Sequence, residues 1–283
     1  MNFSIIIPTF QNYPYLKLCV ESIFKNSKYN HEIIIHLNGH DDKSMNLISE
    51  NKIIFTQSDH NLGLCTGVNL ASKKATKPYI LYAHDDMYFC KNWDKYLIDE
   101  INKQKNNFYY LSGTNVSTRF GLINYNCGDT LENFDENKFL KFCIDDNTPD
   151  LQSAHWAPHL IHRELWDKIG GFSEEFNPGD GSDPDFCMKL WKNGVRIFKT
   201  ISKFKVYHFS SITTRKSNLV LNNGTKTFTL KYGFNPRFFR KYYLKGDGLK
   251  IFDGEVSEPK TSLQMLIDYS INKLKFFFYK IFN

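Results

Sequence analysis

Two adjacent carboxylates, Asp85 and Asp86, directly follow the apolar run PYILYA and the single residue His84. Neighbouring carboxylates repel each other, and burial makes an ionised carboxylate still less favourable. A divalent cation relieves both effects, and oxygen ligands suit Mg²⁺ or Mn²⁺, which a diphosphate can also bind. The pair therefore predicts metal–diphosphate binding. Alternatively, one Asp caps a helix that begins near residues 91–92 while the other is solvated.

A second acidic group follows the pair Gly170-Gly171 and comprises Asp180, Asp183 and Asp185. An amphipathic helix is predicted from about Asp183 to Lys192. Acidic residues at a helix start complement the macrodipole, which is one explanation of this group. The other is that one of these carboxylates is a general base within reach of an incoming hydroxyl.

Two further residues are candidates for the same site. His208 stands in KVYHFSS, at the end of another apolar run. A lone His at a strand end is usually structural, but with the Asp pair it could form one metal site with an open face for phosphate oxygens. Trp156, in SAHWAPH, is either a core aromatic or a platform on which a sugar ring stacks.

The elements that must position these residues alternate between two periodicities. Strands are predicted at FSIIIPT, HEIIIHL, KIIFT and PYILYA, with helices over residues 14–27 and from about Leu64 to Lys74. Strands separated by crossover-length connections indicate a parallel sheet with helices on its faces. Ligands bind such sheets at the carboxyl ends of the strands. Thr9, Asn38 and residues 84–86 fall at these ends.

The second half of the chain is less regular. Residues 115–150 are polar and predict a loop-rich insertion. A helix is expected around Arg163 to Ile169, and RIFK and KFKVYHF are expected to be strands. The tail from Thr261 to Asn283 has a helical pattern.

Composition excludes several classes of protein. The 283 residues are 41% hydrophobic and 23% charged, which is typical of a globular chain. The net charge of +6 permits attraction to anionic ligands, while dispersed basic residues and the lack of a recognised motif argue against nucleic-acid binding. The six Cys form no CxxC pair, and no apolar run reaches the roughly 18 residues of a membrane span. We expect a cytoplasmic protein, or one at the inner face of a membrane.

Taken together, the chain resembles family 2 glycosyltransferases of the GT-A fold. The matching segments cover most of residues 3–210; they are SIIIPTFQNYPYLKLCVESI, EIIIHLNGHDD, NLGLCTGVNLASKKATKPYILYAHDDM, GGFSEEFNPGDGSDPDFCMKLWKNGVRIF and VYHFSS. The resemblance implies an α/β, Rossmann-like fold with a mostly parallel central sheet and flanking helices. Residues 1–215 would form the catalytic domain, with a nucleotide-sugar half (1–112) and an acceptor half (113–215). Residues 216–283 would form a C-terminal helical extension.

The resemblance also implies the residues that bind the donor nucleotide. Thr9 would lie against the nucleotide, and Asn38 would stand in the loop around the base. Asn61, Gly63 and Asn69 match an element beside the nucleoside, where Gly63 lets the backbone approach the ligand and Asn69 donates hydrogen bonds.

The same resemblance implies the chemical roles. Asp86 and His208 would bind Mn²⁺ or Mg²⁺, and Asp85 would contact the ribose or a metal-bound water. Asp183 would be the base of an inverting transfer from a nucleotide-sugar donor to a glycan or lipid-linked acceptor. Trp156 and Asp185 are the expected acceptor contacts.

Three positions depart from the family pattern. Leu37 replaces an Asp that commonly contacts uracil, His84 replaces the first acid of the DxD-type element, and Ser182 replaces a Glu before the base. A UDP-sugar is the default donor, with dTDP- and GDP-sugars as alternatives. Leu37 and His84 also support a rival function, a non-catalytic nucleotide- or glycan-binding protein with a decayed donor site. A nucleotidyltransferase is disfavoured because PTFQNYPYL lacks a Gly-rich, basic loop.

The C-terminal segment KLKFFFYKIFN is basic, apolar and compatible with a helix. One interpretation is an interfacial helix on anionic lipid, which gives peripheral membrane contact near a lipid-linked acceptor. The other is that its aromatic residues pack on the catalytic domain or on a partner subunit.

Overall fold

The computed structural model describes residues 1–152, 156–209, 222–246 and 250–282. Its strands are β1 (Phe3–Thr9), β2 (Glu32–Asn38), β3 (Ile54–Ser58), β4 (Tyr79–Tyr82), β5 (Met87–Phe89), β6 (Tyr109–Ser117), β7 (Ile123–Asn124), β8 (Leu151–Gln152), β9 (His159–His162) and β10 (Ile197–His208). Its helices are α1 (Tyr13–Asn26), α2 (Asp42–Glu50), α3 (Leu64–Ser72), α4 (Trp93–Ile101), α5 (Glu136–Asp145), α6 (Arg163–Ile169), α7 (Ser182–Lys192), α8 (Gly224–Tyr232), α9 (Pro236–Phe239) and α10 (Leu263–Ile281). A 3₁₀ turn spans Glu174–Phe176, and a π-helical turn spans Arg240–Leu244.

The strands form one sheet in the order β3-β2-β1-β4-β9-β6-β10-β5, with β7 on β6 and β8 on β10. The strands β3, β2, β1 and β4 are parallel, whereas β9 and β5 run antiparallel to their neighbours. Every residue of β1 and β4 is buried, because helices cover both faces of the sheet there. The predicted mostly parallel sheet with flanking helices is confirmed.

The helices form where the apolar period predicts them. In α1, Leu16, Cys19, Val20 and Ile23 face the core, and Pro14 lies in the first turn. Phe24, the residue after Ile23, lies outside this buried face and is 52% exposed.

The predictions for the second half need two corrections. The region 115–150 is more regular than expected: β6 continues to Ser117, and α5 begins at the cap Asp135, whose carboxylate accepts the amide of Lys138 at 2.9 Å. The runs RIFK and KFKVYHF form one strand, β10, because its pairing with β6 continues across a register shift between Ile201 and Lys205.

The described C-terminal residues pack on the rest of the chain. The amide of Val256 donates to the carbonyl of Arg196, and the amide of Phe252 donates to that of Asp150, both at 2.8 Å. The predicted boundary near residue 215 falls outside the described residues and stays a prediction. Among the helices that the structure describes, none combines the length and the apolar character that crossing a bilayer requires.

Candidate metal and catalytic site

Three side chains converge where β4, β5 and β10 meet. Residues 84–86 form the turn between β4 and β5, and His208 at the end of β10 pairs with Met87. The His208 Nε2 lies 3.0 Å from Asp86 Oδ1 and 3.3 Å from His84 Nδ1. One potential ligand atom from each of His84, Asp86 and His208 lies within 4.8 Å of the others. We call these three residues the metal triad.

Neighbouring charges and burial shift the pKa values of the triad residues. Burial alone would raise the pKa of Asp86, but the charge of His208 and its hydrogen bond outweigh burial and lower it. Burial alone would lower the pKa of His208, but nearby carboxylates outweigh burial and raise it. Burial, and next the charge of His208, lowers the pKa of His84 to about 4. His84 is therefore a neutral imidazole with a lone pair for a cation at neutral pH.

The donor set of the triad fits a divalent cation. Imidazole nitrogens suit transition metals, and a carboxylate suits Mg²⁺, Ca²⁺ or Mn²⁺. Two imidazoles beside one carboxylate favour Mn²⁺ over Mg²⁺. In the sequence, His84 is notable only because it replaces an acid of the family pattern. In the structure, it is a member of the triad.

Asn115 of β6 supports the triad from behind. Its amide group lies 2.9 Å from His208 Nδ1, while its Oδ1, as oriented, is buried without a hydrogen-bond partner. The two ends of a carboxamide are interchangeable in shape. With Oδ1 turned to His208, Asn115 accepts the Nδ1 proton and leaves Nε2 available for a cation. No feature of the sequence around Asn115 indicated this role.

Asp85 lies beside the triad but is not part of it. Thr9 Oγ1 donates to Asp85 Oδ2 at 2.6 Å, so the end of β1 meets the predicted acidic turn. Burial, and next the charge of Asp86, raises the pKa of Asp85 to about 7. The alternative of a helix cap is wrong, because both carboxylates are buried and Asn92 occupies the N-cap position of α4.

Asp183 lies in the first turn of α7. It is partly exposed, and burial raises its pKa to about 7 although the charge of His208 acts in the opposite direction. The carboxylates that raise the pKa of His208 are those of Asp86, Asp85 and Asp183. Asp183 is therefore close enough to His208 for its charge to affect the pKa of His208.

Asn38 and Asn61, two of the predicted nucleotide-binding residues, accept hydrogen bonds from the backbone between β3 and α3. Asn38 Oδ1 accepts the amide of Leu62 at 3.0 Å, and Asn61 Oδ1 accepts the amide of Gly63 at 2.9 Å. Both bonds order the segment that leads from β3 into α3. Leu37 is buried, at 1% exposure, so it presents no polar group in the loop after β2.

Asn69 and Gly63, whose contacts with the donor stay predictions, also have structural roles. Both ends of the Asn69 amide bond the backbone of Phe172, at 2.8 and 2.9 Å, so its hydrogen bonds pin the loop after α6 to α3. Gly63 has φ +88°, and a Cβ there would lie 2.4 Å from Asn177 Oδ1. The close approach of Asn177 therefore requires glycine at this position.

Asn177 is a structural residue that the sequence pattern missed. Its Oδ1 accepts the amides of Cys65 at 3.0 Å and Thr66 at 3.4 Å, and its Nδ2 donates to Thr66 Oγ1 at 2.8 Å. Asn177 thus caps α3 from a segment more than a hundred residues away. The Asn-Pro pair in EEFNPGD is typical of a turn, but nothing in the local sequence indicates that Asn177 caps α3.

The acceptor contact expected of Asp185 does not fit the structure. Asp185 is fully buried, and its Oδ1 accepts Tyr232 Oη at 2.7 Å and Lys231 Nζ at 2.8 Å. It therefore joins α7 to α8. Trp156 is partly exposed, and its carbonyl accepts Tyr110 Oη at 3.3 Å. His155, its neighbour in SAHWAPH, lies outside the described residues.

A cavity of about 330 Å³ opens beside the triad. It is lined by Ser117, Thr118, Arg119, Phe120, Gly128, Asp129, His208 and Phe209. Phe120 is 74% exposed. A cationic side chain and an exposed ring beside His208 can hold a polar ring such as a sugar. The loop-rich prediction for 115–150 located this region but not the cavity.

Comparisons with known proteins were made on sequence and on fold. The sequence profile described as glycosyl transferase family 2 matches residues 4–164, which is more than half of the chain. A comparison with curated protein sequences gave no match.

Solved structures share the fold at low identity. Residues 1–349 of TarS from S. aureus align with a TM-score of 0.57 at 17% identity, covering 75% of this chain and 61% of that one. The same fragment with UDP-GlcNAc gives 0.56 at 17%, with the same coverage. GalNAc-T7 with UDP, GalNAc and Mn²⁺ gives 0.57 at 16%, covering 74% of this chain and 44% of that one. The chain thus spans about three fifths of the TarS fragment.

Proposed function

The chain belongs to glycosyl transferase family 2, and from this premise we propose that it is an inverting, metal-dependent glycosyltransferase. The donor is a nucleoside diphosphate sugar. The acceptor is a hydroxyl of a glycan or of a lipid-linked glycan. The observation that carries the proposal is the metal triad of His84, Asp86 and His208, whose member His208 interacts electrostatically with Asp183.

The triad residues would hold the cation, preferably Mn²⁺. When bound, the cation neutralises charge on the leaving diphosphate. Asn115 keeps His208 oriented with Nε2 toward this position. The 2.6 Å hydrogen bond from Thr9 keeps the Asp85 carboxylate in place beside the triad.

Asp183 accepts the proton of the acceptor hydroxyl. Its pKa, raised to about 7, is suited to a base that works near neutral pH. The hydroxyl oxygen forms a bond to the anomeric carbon while the bond to the diphosphate oxygen breaks, and the proton passes to the Asp183 carboxylate. One displacement inverts the anomeric centre without a covalent sugar–enzyme intermediate.

UDP-sugars are the first donors to test, because the TarS fragment was solved with UDP and with UDP-GlcNAc, and GalNAc-T7 with UDP and Mn²⁺. Buried Leu37 in place of the usual acid keeps dTDP- and GDP-sugars as alternatives. A thermal-shift screen of nucleotide sugars with and without Mn²⁺ tests the donor, since a ligand that binds the folded state raises the melting temperature. No rise with any nucleotide sugar in the presence of Mn²⁺ would contradict the proposal.

The cavity beside His208 supports a sugar-binding role for the segment 117–129. Phe120 offers a ring face for stacking, and Arg119 offers donors to sugar hydroxyls. Trp156 stays a candidate acceptor contact. A cytoplasmic location, contact of α10 with a membrane, and the separation of residues 1–215 from 216–283 likewise stay predictions.

Product stereochemistry tests the inverting mechanism. NMR of the anomeric proton during transfer should show inversion relative to the donor. Retention would contradict a single displacement with Asp183 as base.

The rival function, a non-catalytic binding protein, predicts nucleotide binding without turnover. His84 was one of its supports, but the position of His84 beside Asp86 and His208 now favours metal binding. Single-turnover assays with the donor found in the screen, with and without acceptor, separate the two functions.

A further inference from the structure

The helix α10 exposes a long apolar face to solvent. Its 19 residues rise about 28 Å. The outward side chains are between 47% and 76% exposed; they are Leu263, Leu266, Ile267, Ile271, Leu274, Phe277, Phe278 and Ile281. At 100° per residue these positions form one continuous stripe. We call it the α10 stripe. Soluble monomeric proteins seldom expose a contiguous apolar patch larger than roughly a few hundred Å².

Polar contacts fix this orientation of the helix. On the side that faces the protein, Asp268 accepts Lys241 Nζ at 2.8 Å and Tyr242 Oη at 2.6 Å. One turn later, buried Asn272 accepts the amide of Asn235 at 2.8 Å. A surface helix normally turns its apolar side inward. Here directional bonds hold the polar side inward, so the α10 stripe must face outward.

The charges beside the stripe indicate which kind of partner it contacts. The helical period places Lys273 and Lys280 on one flank of the stripe and Lys275 on the other. The single acidic residue within α10 is Asp268, which lies on the same flank as Lys275 but has its charge paired with Lys241. The rim of the stripe is therefore cationic on both sides. Lysines that flank an apolar helix face can extend to lipid phosphates while their stems stay on apolar surface.

A second copy of this chain fits the stripe less well. Two-fold pairing of the stripes would place the lysine rims near each other, and the one acidic side chain of α10, Asp268, is already paired with Lys241. An anionic bilayer offers both an apolar interior and negative phosphates. We propose that α10 lies flat on an anionic lipid bilayer, with the stripe in the boundary between headgroups and acyl chains. This inference does not depend on the proposed transferase activity.

Vesicle co-sedimentation of the full chain tests the proposal. The probes are vesicles of phosphatidylcholine alone and of phosphatidylcholine with about 30 mol % phosphatidylglycerol. We expect binding to the anionic vesicles that weakens by about tenfold or more in the double variant Leu274→Glu/Phe278→Glu. Both side chains are more than half exposed, at 72% and 58%, so the variant should fold.

The matched control is Ile144→Glu/Phe24→Glu. These side chains are 76% and 52% exposed on α5 and α1, so the control makes the same change of charge and a similar loss of exposed apolar surface elsewhere. It should bind vesicles almost as the unchanged chain does. The triple variant Lys273→Gln/Lys275→Gln/Lys280→Gln should lose most of the preference for anionic over neutral vesicles.

Three outcomes would overturn the proposal. The first is no binding to anionic vesicles by the unchanged chain. The second is equal binding by the stripe variant and the control variant, with both folded by circular dichroism. The third is a dimer in sedimentation velocity that only the stripe variant abolishes, which would assign the stripe to a second copy.

Discussion

At the scale of single residues, His84 places an imidazole where the family pattern has an acid. The position still supplies a potential metal ligand. The turn 84–86 has an imidazole at its first position, and that imidazole lies 3.3 Å from His208. A neutral imidazole and a carboxylate can both bind a divalent cation, but they rank metals differently. Its replacement should therefore change the strength of binding and the choice of metal.

We predict that His84→Ala weakens Mn²⁺ binding strongly, whereas His84→Asp retains it with a shift of preference toward Mg²⁺. The reason is that Asp restores a ligand atom, although a hard oxygen, and Ala removes it. Titration by isothermal calorimetry with each metal measures both effects. Equal Mn²⁺ affinity of the Ala variant and the unchanged protein would exclude His84 from the site.

Asn115 acts on the metal through His208. We predict that Asn115→Ala weakens Mn²⁺ binding about 10- to 100-fold, the range typical when a partner of a ligating His is lost. Asn115→Asp, which keeps an acceptor for the Nδ1 proton, should lose less. Calorimetric titration gives the affinities, and a larger loss in the Asp variant would argue against this orienting role.

Asp183 is the residue for which the pH dependence is most direct. We predict that Asp183→Asn lowers kcat by about 10²- to 10⁴-fold with donor binding unchanged. For the unchanged protein, kcat/KM should fall as pH drops below about 7, because a protonated Asp183 cannot accept the hydroxyl proton. The pH profiles of kcat/KM for both proteins provide the measurement. A variant that keeps full transfer would remove Asp183 from the mechanism.

At the scale of elements, the start of α3 depends on a cap from a distant part of the sequence. Gly63, at the N-cap position, makes no side-chain hydrogen bond, and Asn177 supplies the missing acceptor. The same loop leads into α7, which carries Asp183. The site is thus held together by a contact between two elements that flank it.

We predict that Asn177→Ala lowers the free energy of unfolding by about 1 kcal/mol or slightly more, as for other lost caps. Asn177→Asp should cost less, because a carboxylate still accepts the amides of Cys65 and Thr66 and suits a helix N-terminus. Urea denaturation measures the difference. If the two variants were equally unstable, capping would not be the cause.

At the scale of the whole molecule, the raised pKa of Asp183 makes the stability of the folded protein depend on pH. Asp183 has a folded-state pKa of about 7, well above its ordinary value of 3.8. A raised carboxyl pKa means that the folded state binds the proton more tightly than the unfolded state. The stability that this group contributes is therefore complete below about pH 4 and is lost as pH rises to about 7.

We predict that Asp183→Asn raises the melting temperature at pH 8 and that the gain vanishes near pH 4. At pH 8 the unchanged protein must ionise the Asp183 carboxylate in an environment that disfavours its charge, whereas near pH 4 the group is largely protonated in both the folded and the unfolded state. Calorimetry of both proteins at the two pH values tests this. Because a bound Mn²⁺ would favour the ionised carboxylate, the comparison belongs in a chelating buffer.

The sequence by itself determined the strands β1 to β4, the helices α1 and α3, the mostly parallel sheet and the position of residues 84–86 and His208 at strand ends. These follow from local periodicity and from the rule that parallel strands end at one edge. Tertiary structure decided which polar groups bond to protein and which remain for ligands. Asn69 and Asp185 bond protein groups, while His84 joins the metal triad. The reason is physical: the partners of these residues lie between about 45 and more than 120 positions away, and only packing brings such distant groups within a hydrogen bond.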